Sequence, residues 1–319
     1  MKVLITGAAG FIGSQLLEAL AVQRPEWTLI ASDLRTQNAQ TLRPNTESIL
    51  LDISQHRAVM DTVATHKPDA IVHLASVLNP PPGMSDAVLH AIDVEGTRSI
   101  LQAAAANGVR QLIVSSSGAA YGYYPENAEW IDENDPLRGH AKFAYARHKR
   151  EVEEILAEGR VKHPEVRQLI LRPGTVLGKR VNNQITDMFK KKSILGIKGC
   201  DSRFVFIWDQ DVISVIGKGL EKGCSGIYNL AGDGALSLSE IADIMQKPYR
   251  QIPPGLLQFA LRVLKPLRLT QYGPEQLDFL RYRPVLANRR LKEEFGYTPR
   301  YTSRDAFIAF LDAQGIRHV

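Results

Sequence analysis

The sequence predicts an α/β fold built on a doubly wound parallel, Rossmann-like sheet, with a smaller C-terminal lobe. Three observations predict it. Short apolar runs alternate with helical stretches through the first half of the 319-residue chain, a glycine-rich turn directly follows the first apolar run, and the second half is less regular. Alternating strands and helices imply right-handed crossovers between parallel strands.

Six strands are predicted in the first half, at residues 2–6, 27–32, 48–51, 70–74, 111–115 and 167–171. Several are rich in Val, Ile and Leu and lack polar alternation, which is typical of strands with both faces covered. Helices are predicted between them, at residues 11–23, 56–66, 86–107 and 141–157. This order indicates a sheet with helices on both faces.

The second half contains fewer clear signals. Helices are predicted at residues 182–192, 237–246 and 306–313, and a strand at 226–230. The helix from residue 237 begins with Ser-Leu-Ser-Glu, a spacing typical of a capping box. An amphipathic stretch at 256–263 is interpreted as core, with a cover over an apolar ligand as the alternative.

Composition excludes several classes of function. Lys and Arg exceed Asp and Glu by 39 to 34, an excess that we interpret as spread along the chain. No basic motif is interleaved with aromatic residues, so no nucleic acid is expected as a partner. The two cysteines, Cys200 and Cys224, have neither metal-ligand nor disulfide spacing, so no metal is expected.

Targeting signals are also missing from the sequence pattern. No apolar run approaches the roughly 20 residues needed to cross a bilayer, so no membrane is expected as a partner. The N-terminus runs straight into the first strand, without the apolar core and cleavage site of a signal peptide. A reduced, cytoplasmic protein is therefore predicted.

The strongest local signal is the loop Thr6-Gly7-Ala8-Ala9-Gly10-Phe11-Ile12-Gly13, between the first strand and the first helix. Gly7 permits a tight turn, Gly10 lets the backbone approach a pyrophosphate, and Gly13 lets the helix pack closely on the sheet. The N–H groups at the start of the helix, at Phe11 and Ile12, then face the phosphates with the positive end of the helix dipole. The loop predicts a dinucleotide site.

Asp33 is predicted to select the dinucleotide. It ends the second strand, 20 residues after Gly13, where a carboxylate can accept both hydroxyls of the adenosine ribose. Its charge repels a 2′-phosphate, which favours NAD over NADP. Arg35 is the contrary signal, because a nearby arginine can accommodate that phosphate.

Tyr145 and Lys149 predict proton-transfer chemistry. Four residues apart on a helix, their side chains share a face. A free tyrosine has a pKa of about 10, and a nearby cation lowers that pKa toward the range useful for acid–base catalysis. The serines at 115–117 end a predicted strand, where ligands bind in open α/β sheets. His148 is expected on the surface, because it points elsewhere on the helix.

Further motifs accompany these residues. They are Asp52-Ile53, His73-Leu74-Ala75-Ser76, Val94-x-Gly96-Thr97, a Ser-Ser-Ser…Tyr-Gly stretch and Leu171-Arg172-Pro173. In combination with the glycine loop and the Tyr145…Lys149 pair, they resemble a known family, the extended short-chain dehydrogenases/reductases, often called NAD-dependent epimerases/dehydratases. The resemblance covers nearly the whole chain, strongly over residues 1–175 and loosely afterwards.

The resemblance implies roles for the matching residues. Ser117, Tyr145 and Lys149 are implied as the catalytic set. Asp52 and Ile53 are implied to meet the adenine ring. The implied cofactor-binding residues are Gly7, Gly10, Phe11, Ile12, Gly13, Asp33, Asp52, Ile53, Leu74, Ala75, Ser115, Tyr145, Lys149 and Pro173, with Lys149 on the nicotinamide ribose and Pro173 beside the nicotinamide.

Two lobes and a homodimer are expected. The NAD-binding Rossmann-like domain is predicted at residues 1–175, with a further strand contributed from about 203–231. The substrate-binding lobe is predicted at 176–202 and 232–319. The resemblance also implies a dimer formed through two helices per subunit, near residues 86–107 and 141–157.

Departures from the family pattern bear on the substrate. Nucleotide-sugar dehydratases carry Thr-Asp-Glu where this chain has Ser117-Gly118-Ala119, which argues against elimination of water. UDP-galactose 4-epimerase and its close relatives carry Phe-Asn where this chain has Gly174-Thr175. The family's usual Asn before Val94 is Asp93, and Leu78 replaces a lysine that contacts the cofactor in those epimerases.

The implied substrate residues are Ser117, Thr175 and Arg203. Arg203 resembles the family's diphosphate-binding arginine, shifted by one residue relative to the 4-epimerases. A surface arginine at the start of a strand is the equal alternative.

Three functions remain open. The first is a nucleotide-sugar epimerase, in which Tyr145 deprotonates a sugar hydroxyl while hydride moves transiently to bound NAD. The second is an NAD(P)-dependent dehydrogenase or reductase of a small hydroxyl or carbonyl compound, because residues 171–178 also resemble those branches of the family. The third is a non-catalytic cofactor-sensing protein, against which the intact catalytic set argues. The epimerase is preferred on family analogy.

Overall fold

The computed structural model describes residues 1–36, 42–81, 83–264 and 276–319. Within it the chain divides into two compact units. The first comprises Met1–Ser117, His148–Arg172 and Asp209–Tyr228, and the second comprises Gly118–Arg147, Pro173–Trp208 and Asn229–Val319. Each unit therefore takes segments from both halves of the sequence.

The strands, in chain order, are β1 (Lys2–Thr6), β2 (Thr28–Asp33), β3 (Thr46–Leu50), β4 (Ala70–His73), β5 (Gln111–Ser115), β6 (Arg167–Pro173), β7 (Thr175–Leu177), β8 (Ile194–Ile197), β9 (Arg203–Phe204), β10 (Phe206–Trp208), β11 (Gly226–Leu230), β12 (Leu236–Ser237) and β13 (Tyr249–Ile252). The helices are α1 (Phe11–Gln23), α2 (His56–His66), α3 (Asp86–His90), α4 (Gly96–Ala106), α5 (Ala144–Lys162), α6 (Gln184–Phe189), α7 (Asp209–Lys222), α8 (Leu238–Ile244), α9 (Pro254–Leu264), α10 (Gln276–Arg281), α11 (Arg289–Glu293) and α12 (Ser303–Ala313).

A seven-stranded sheet forms the centre of the first unit, in the order β11-β6-β5-β4-β1-β2-β3. The strand pairs from β3 through to β6 are parallel. The chain runs outward from β1 to β3 and then returns to build the other side from β4. This reversal defines a doubly wound, Rossmann-like sheet and confirms the predicted fold class.

Helices cover the sheet on both faces. Leu112 and Val114 of β5 belong to a buried cluster that also contains residues of α2, α4 and α5. Ile113, between them, lies on the side of α7, because a Cβ added at Gly219 of α7 would sit 3.4 Å from its Cδ1. Successive strand residues point to opposite faces, so this arrangement explains the unbroken apolar character of the strand.

The predicted helix at 86–107 is interrupted. The segment Ala91–Glu95 is a π-helix between α3 and α4. Short π segments inside α-helices are frequent at functional sites. The hydroxyl of Thr97, in the first turn of α4, donates at 2.6 Å to the carbonyl oxygen of Asp93, which lies four residues earlier in the π-helix.

The predicted helix at 141–157 begins later and continues further, as α5. It includes Gly159, where a Cβ would collide with the side chain of Leu101 on α4. Glycine therefore permits close packing of two helices here, although it usually weakens a helix.

The described residues of the second unit form three two-stranded sheets, β10-β7, β12-β9 and β13-β8. The predicted strand at 226–230 is confirmed as β11. The capping box predicted at residue 237 is also confirmed, since Ser237 and Glu240 cap each other's backbone N–H groups at 3.2 and 2.8 Å. No helix of the described residues has the length and hydropathy required to span a bilayer.

Candidate active site

The carboxyl ends of the central parallel strands bring the predicted residues of the first unit to one edge of the sheet. Thr6 is paired with Ser32 on β2 and with His73 on β4. Ser115 ends β5, the next strand along. Ligands of open α/β sheets bind outside this edge, at the point where the strand order reverses.

The glycine loop between β1 and α1 is shaped as predicted for close approach. Gly7 has φ +71°, and a Cβ on it would lie 2.7 Å from the backbone nitrogen of Ala75. A Cβ on Gly13 would collide with the carbonyl oxygen of Gly7. The N-cap of α1 is Gly10, which has no side chain with which to cap the helix. The N–H groups of the first turn therefore suit an external anion such as a pyrophosphate.

Asp33 is oriented by this loop. Its Oδ2 accepts a hydrogen bond from the backbone N–H of Ala9 at 3.0 Å, and its Oδ1 accepts one from Arg35 N–H at 3.3 Å. The Arg35 side chain is exposed, and its Nη2 lies 3.5 Å from the Ala9 carbonyl oxygen. A half-buried carboxylate fixed next to the glycine loop fits the hydroxyls of an adenosine ribose.

The motif residues that follow β3 and β4 also have local contacts. Asp52 Oδ1 accepts from Ser54 N–H and Oγ–H at 2.9 and 2.7 Å and so fixes the turn before α2. Ile53 is buried. Leu74 and Ala75 are half-buried, and Leu74 N–H donates to the Thr6 carbonyl at 3.1 Å.

Lys149 is a buried cation of the first unit at this edge. Its Nζ donates to the backbone carbonyl oxygen of Ser115 at 3.1 Å. Tyr145 is half-buried and lies one helical turn before Lys149 on α5. Ser117 is also half-buried, two residues beyond the end of β5. Tyr145 and Lys149 thus lie one turn apart on α5, with the ammonium group held at the end of β5.

A buried polar network fixes α5 one turn after Lys149. Glu153, one turn after Lys149, accepts from Ser116 Oγ–H at 2.6 Å and from Arg172 Nε and Nη2 at 2.8 and 2.6 Å. All three side chains are buried. The bidentate pair thus ties α5 to the ends of β5 and β6.

His148 is not on the surface, so that prediction was wrong. Its side chain is fully buried, at 0% exposure. Its Nδ1 lies 3.8 Å from Asp93 Oδ2 and its Nε2 lies 3.4 Å from Asp86 Oδ1. His148 does point away from Lys149 on the helix, but α3 and the π-helix pack against that face of α5.

Asp93 is buried yet charged. Burial alone would raise its pKa, but the adjacent His148 imidazole, the charge of Lys149, the Ser76 hydroxyl and the Val77 N–H hold the pKa below its usual value. The Val77 N–H donates to Asp93 Oδ1 at 3.1 Å. A negative charge therefore lies within electrostatic reach of Lys149.

The second unit presents a cation that the sequence reasoning missed. Arg283 Nη2 donates to the hydroxyl of Thr175 at 3.3 Å, while its guanidinium lies 4.1 Å from the ring centre of Phe204 and 4.5 Å from that of Phe279. Its Nη1 is buried and finds no hydrogen-bond acceptor among the described residues. Burial lowers the pKa of Arg283 to about 10, partly offset by Tyr123, so it stays protonated at neutral pH.

No local pattern marked Arg283, because it stands among several other arginines in residues 281–290. Arg203, which was singled out instead, is partly exposed and ion-paired with Glu129 at 2.8 Å and Asp201 at 3.1 Å. Those two hydrogen bonds raise its pKa. Pro173 is half-buried at the end of β6.

Metal chemistry has no candidate centre in the described ranges, where no three His, Cys, Asp or Glu side chains are grouped to hold an ion. Cys200 and Cys224 are free thiols.

Comparison with known proteins agrees with this geometry. The model of the NAD-dependent epimerase/dehydratase family matches residues 3–231. An uncharacterised protein of Mycobacterium tuberculosis is 25% identical over 98% of this chain and 84% of its own length. The N-acetyl-α-D-glucosaminyl-diphospho-ditrans,octacis-undecaprenol 4-epimerase of Escherichia coli O157:H7 is 29% identical, over 82% of this chain and 77% of its own length.

Among solved structures, the UDP-glucose 4-epimerase of Thermus thermophilus in complex with NAD superposes with a TM-score of 0.75. The match covers 99% of this chain and 100% of that one, at 22% sequence identity. At this identity the likeness shows the fold.

Proposed function

The chain belongs to the NAD-dependent epimerase/dehydratase family, and from that premise we propose that it is a nucleotide-sugar epimerase that works by transient hydride transfer to bound NAD. The observation that carries this proposal is Lys149, a buried cation fixed on the Ser115 carbonyl and one helical turn after Tyr145. Such a cation stabilises the tyrosinate that a proton-transfer step requires.

The glycine loop and Asp33 fit NAD. Gly7, Gly10 and Gly13 leave room for a pyrophosphate at the uncapped start of α1, and Asp33 stands where a ribose diol would be held. NAD, when bound, supplies the hydride acceptor for oxidation of a sugar carbon and the hydride donor for its reduction. Tyr145 takes the proton of the sugar hydroxyl in the first step and returns it in the second, and Ser117 holds the reacting oxygen.

The cation of the second unit supports this substrate class. Arg283 keeps its charge and has a buried N–H group without an acceptor among the described residues, next to the Thr175 hydroxyl. An unpaired buried donor costs about 1–3 kcal/mol, so a ligand oxygen at this position gains affinity. A diphosphate supplies such oxygens, and the Escherichia coli relative is named for a diphospho-linked sugar.

Elimination of water is not favoured. The two positions after Ser117 are Gly118 and Ala119, both buried, and neither carries a group that can transfer a proton. Gly118 is also packed against Leu286, whose Cδ1 would lie 2.9 Å from an added Cβ.

The test is a turnover assay with the purified full-length chain. Nucleotide released on denaturation is identified by mass spectrometry, and UDP-sugars and an undecaprenyl-diphosphate sugar are then offered separately. Interconverted epimers without a lasting change in reduced-nicotinamide absorbance support the proposal. Stoichiometric absorbance change with an added alcohol or carbonyl compound, in a chain that releases no nucleotide, would favour a reductase instead.

Two smaller proposals accompany this function. A homodimer through α4 and α5 and a cytoplasmic location are both expected from the resemblance and the sequence pattern.

A further inference from the structure

Helix α9 exposes large apolar side chains to water. Leu256 is 60% exposed and Phe259 is 67% exposed, so these two residues do not belong to the core that the sequence pattern predicts here. Arg262 is exposed as well, and the three positions are spaced three residues apart, so they form one stripe along the helix. Leu257 and Leu261 are half-buried, which leaves the stripe as the outward face.

The sequence on either side of this helix is basic. Residues 244–274 contain no Asp or Glu and five cations, Lys247, Arg250, Arg262, Lys265 and Arg268. The net charge of the whole chain is also +5, so the remainder of the chain is balanced. Residues 136–150 likewise contain five cations and no Asp or Glu, so the basic excess is spread over several segments, of which 244–274 is one. Among the described cations of this segment, Arg250 and Arg262 are exposed.

Exposed apolar groups and cations together narrow the range of partners. Cations alone would suit any polyanion, but a stripe of Leu and Phe gains nothing from a phosphate backbone. A helix with apolar residues on one face and basic residues beside them is typical of segments that lie in the interface of a bilayer. Acidic lipids attract such a basic segment. Residues 244–274 contain no Asp or Glu whose charge would repel these lipids.

The length of the helix fits the same partner. Eleven residues extend about 16 Å, well short of the hydrocarbon core of a bilayer. The helix is therefore long enough to lie along a surface but too short to cross it. A helix that lies along the surface needs no apolar run of membrane-spanning length, and the sequence contains none.

We propose that α9 binds the surface of an anionic lipid bilayer, with Leu256 and Phe259 inserted among the acyl chains and Arg262 at the headgroups. The expectation that no membrane is a partner is thereby revised to peripheral attachment. The proposal does not depend on the epimerase activity, because no residue of α9 has been placed in the catalytic or binding machinery.

The test is flotation of the full-length protein with vesicles of phosphatidylcholine alone, and with vesicles of equal parts phosphatidylcholine and phosphatidylglycerol. Binding is expected to the anionic vesicles, and raised salt should weaken it. Leu256→Glu/Phe259→Glu should lower the partition coefficient by at least about tenfold, because it places two charges where apolar side chains would enter the acyl region. The control is Val22→Glu, an exposed apolar position at 55% exposure on α1, which should bind like the parent.

Three results would overturn the proposal. The first is a parent protein that floats with neither kind of vesicle. The second is a double variant that binds as well as the parent, or a control that loses binding equally. The third is a parent protein that is oligomeric in light scattering and does not bind vesicles, together with a double variant that is monomeric. That result would make this stripe a contact between copies of the chain. Thermal melts of both variants should match the parent, because all three positions are exposed.

Discussion

The ammonium group of Lys149 lies 3.1 Å from the backbone carbonyl oxygen of Ser115, the last residue of β5. This hydrogen bond joins α5 to the edge of the sheet where the serines follow. Because the acceptor is a main-chain atom of the central sheet, the position of the cation is set by the fold itself. The proton chemistry proposed for Tyr145 depends on that fixed charge.

Lys149→Met is therefore expected to lower kcat by about 10²–10⁴-fold, the usual contribution of acid–base catalysis. The substitution keeps the length of the side chain but removes the charge that favours the tyrosinate. Steady-state kinetics on the interconverted sugar measures the effect, and Lys162→Met at the exposed end of α5 is the control. A kcat within about twofold of the parent would remove Lys149 from the mechanism.

Tyr145→Phe should lower turnover by a similar factor while leaving NAD bound. Phenylalanine retains the ring, so the melting temperature should stay close to that of the parent. Tyr301→Phe, at an exposed tyrosine of the second unit, is the matched control. Turnover that survives in Tyr145→Phe would mean that another group moves the proton.

Asp33→Asn should reduce the preference for NAD over NADP. The amide lacks the charge that binds the ribose diol and repels a 2′-phosphate, so affinity for NAD should fall by about tenfold, the value of one hydrogen bond to a charged group. Calorimetric titration of the nucleotide-free chain with both dinucleotides measures the ratio, with Asp61→Asn on the exposed side of α2 as the control. An unchanged ratio would leave Asp33 as a residue that only orders the glycine loop.

Glu153 and Arg172 form a buried ion pair, and removal of one partner should be costly. Glu153→Gln is expected to lower the free energy of unfolding by about 3–5 kcal/mol, because it leaves the Arg172 guanidinium buried without a countercharge. Glu158→Gln, on the same helix, breaks only the exposed pair with Lys162 and should cost less than about 1 kcal/mol. Urea denaturation compares the two, and equal losses would contradict a buried pair.

The parts of the site that could be predicted from the sequence are those set by local backbone geometry. The glycine loop and the strand ends follow from short-range spacing, so Gly7 and Asp33 could be singled out from the sequence alone. His148 and Arg283 could not be found in this way. The environment of His148 includes α3, more than fifty residues away in sequence, and that of Arg283 includes Phe204, more than seventy positions earlier.

The interpretation of α9 as core was wrong for a related reason. Amphipathic periodicity identifies a helix and an apolar face, but it does not say whether another part of the chain covers that face. Only the exposed fractions of Leu256 and Phe259 decide the question.

The hydrogen bonds around His73 predict how stability depends on pH. Its Nδ1 lies 2.7 Å from the Thr6 hydroxyl oxygen and its Nε2 lies 3.1 Å from that of Thr97. The Thr97 hydroxyl already donates its proton to the Asp93 carbonyl, so Nε2 must be the donor to Thr97. Thr6 can then donate to Nδ1, which makes His73 a neutral imidazole with its proton on Nε2.

The charge environment agrees with a neutral ring. Burial, followed by the positive charge of Lys149, lowers the pKa of His73 to about 3, although Asp93 acts in the opposite direction. In the unfolded chain the pKa is about 6.5. Between these values the unfolded state binds a proton that the folded state does not, so stability falls as the pH drops below about 6.5.

From pH 7 to pH 5 this single group should therefore remove about 2 kcal/mol of unfolding free energy. His73→Gln keeps a side chain that can donate to Thr97 and accept from Thr6, but this side chain does not titrate. Between pH 7 and pH 5 the unfolding free energy of the variant should therefore fall by about 2 kcal/mol less than that of the parent. Urea denaturation at each pH measures the difference, and the NMR signals of the His73 ring should show Nε2–H without titration down to about pH 4. A ring that takes up a proton near pH 6.5 in the folded protein, its ordinary pKa, would contradict both the assigned tautomer and the predicted slope.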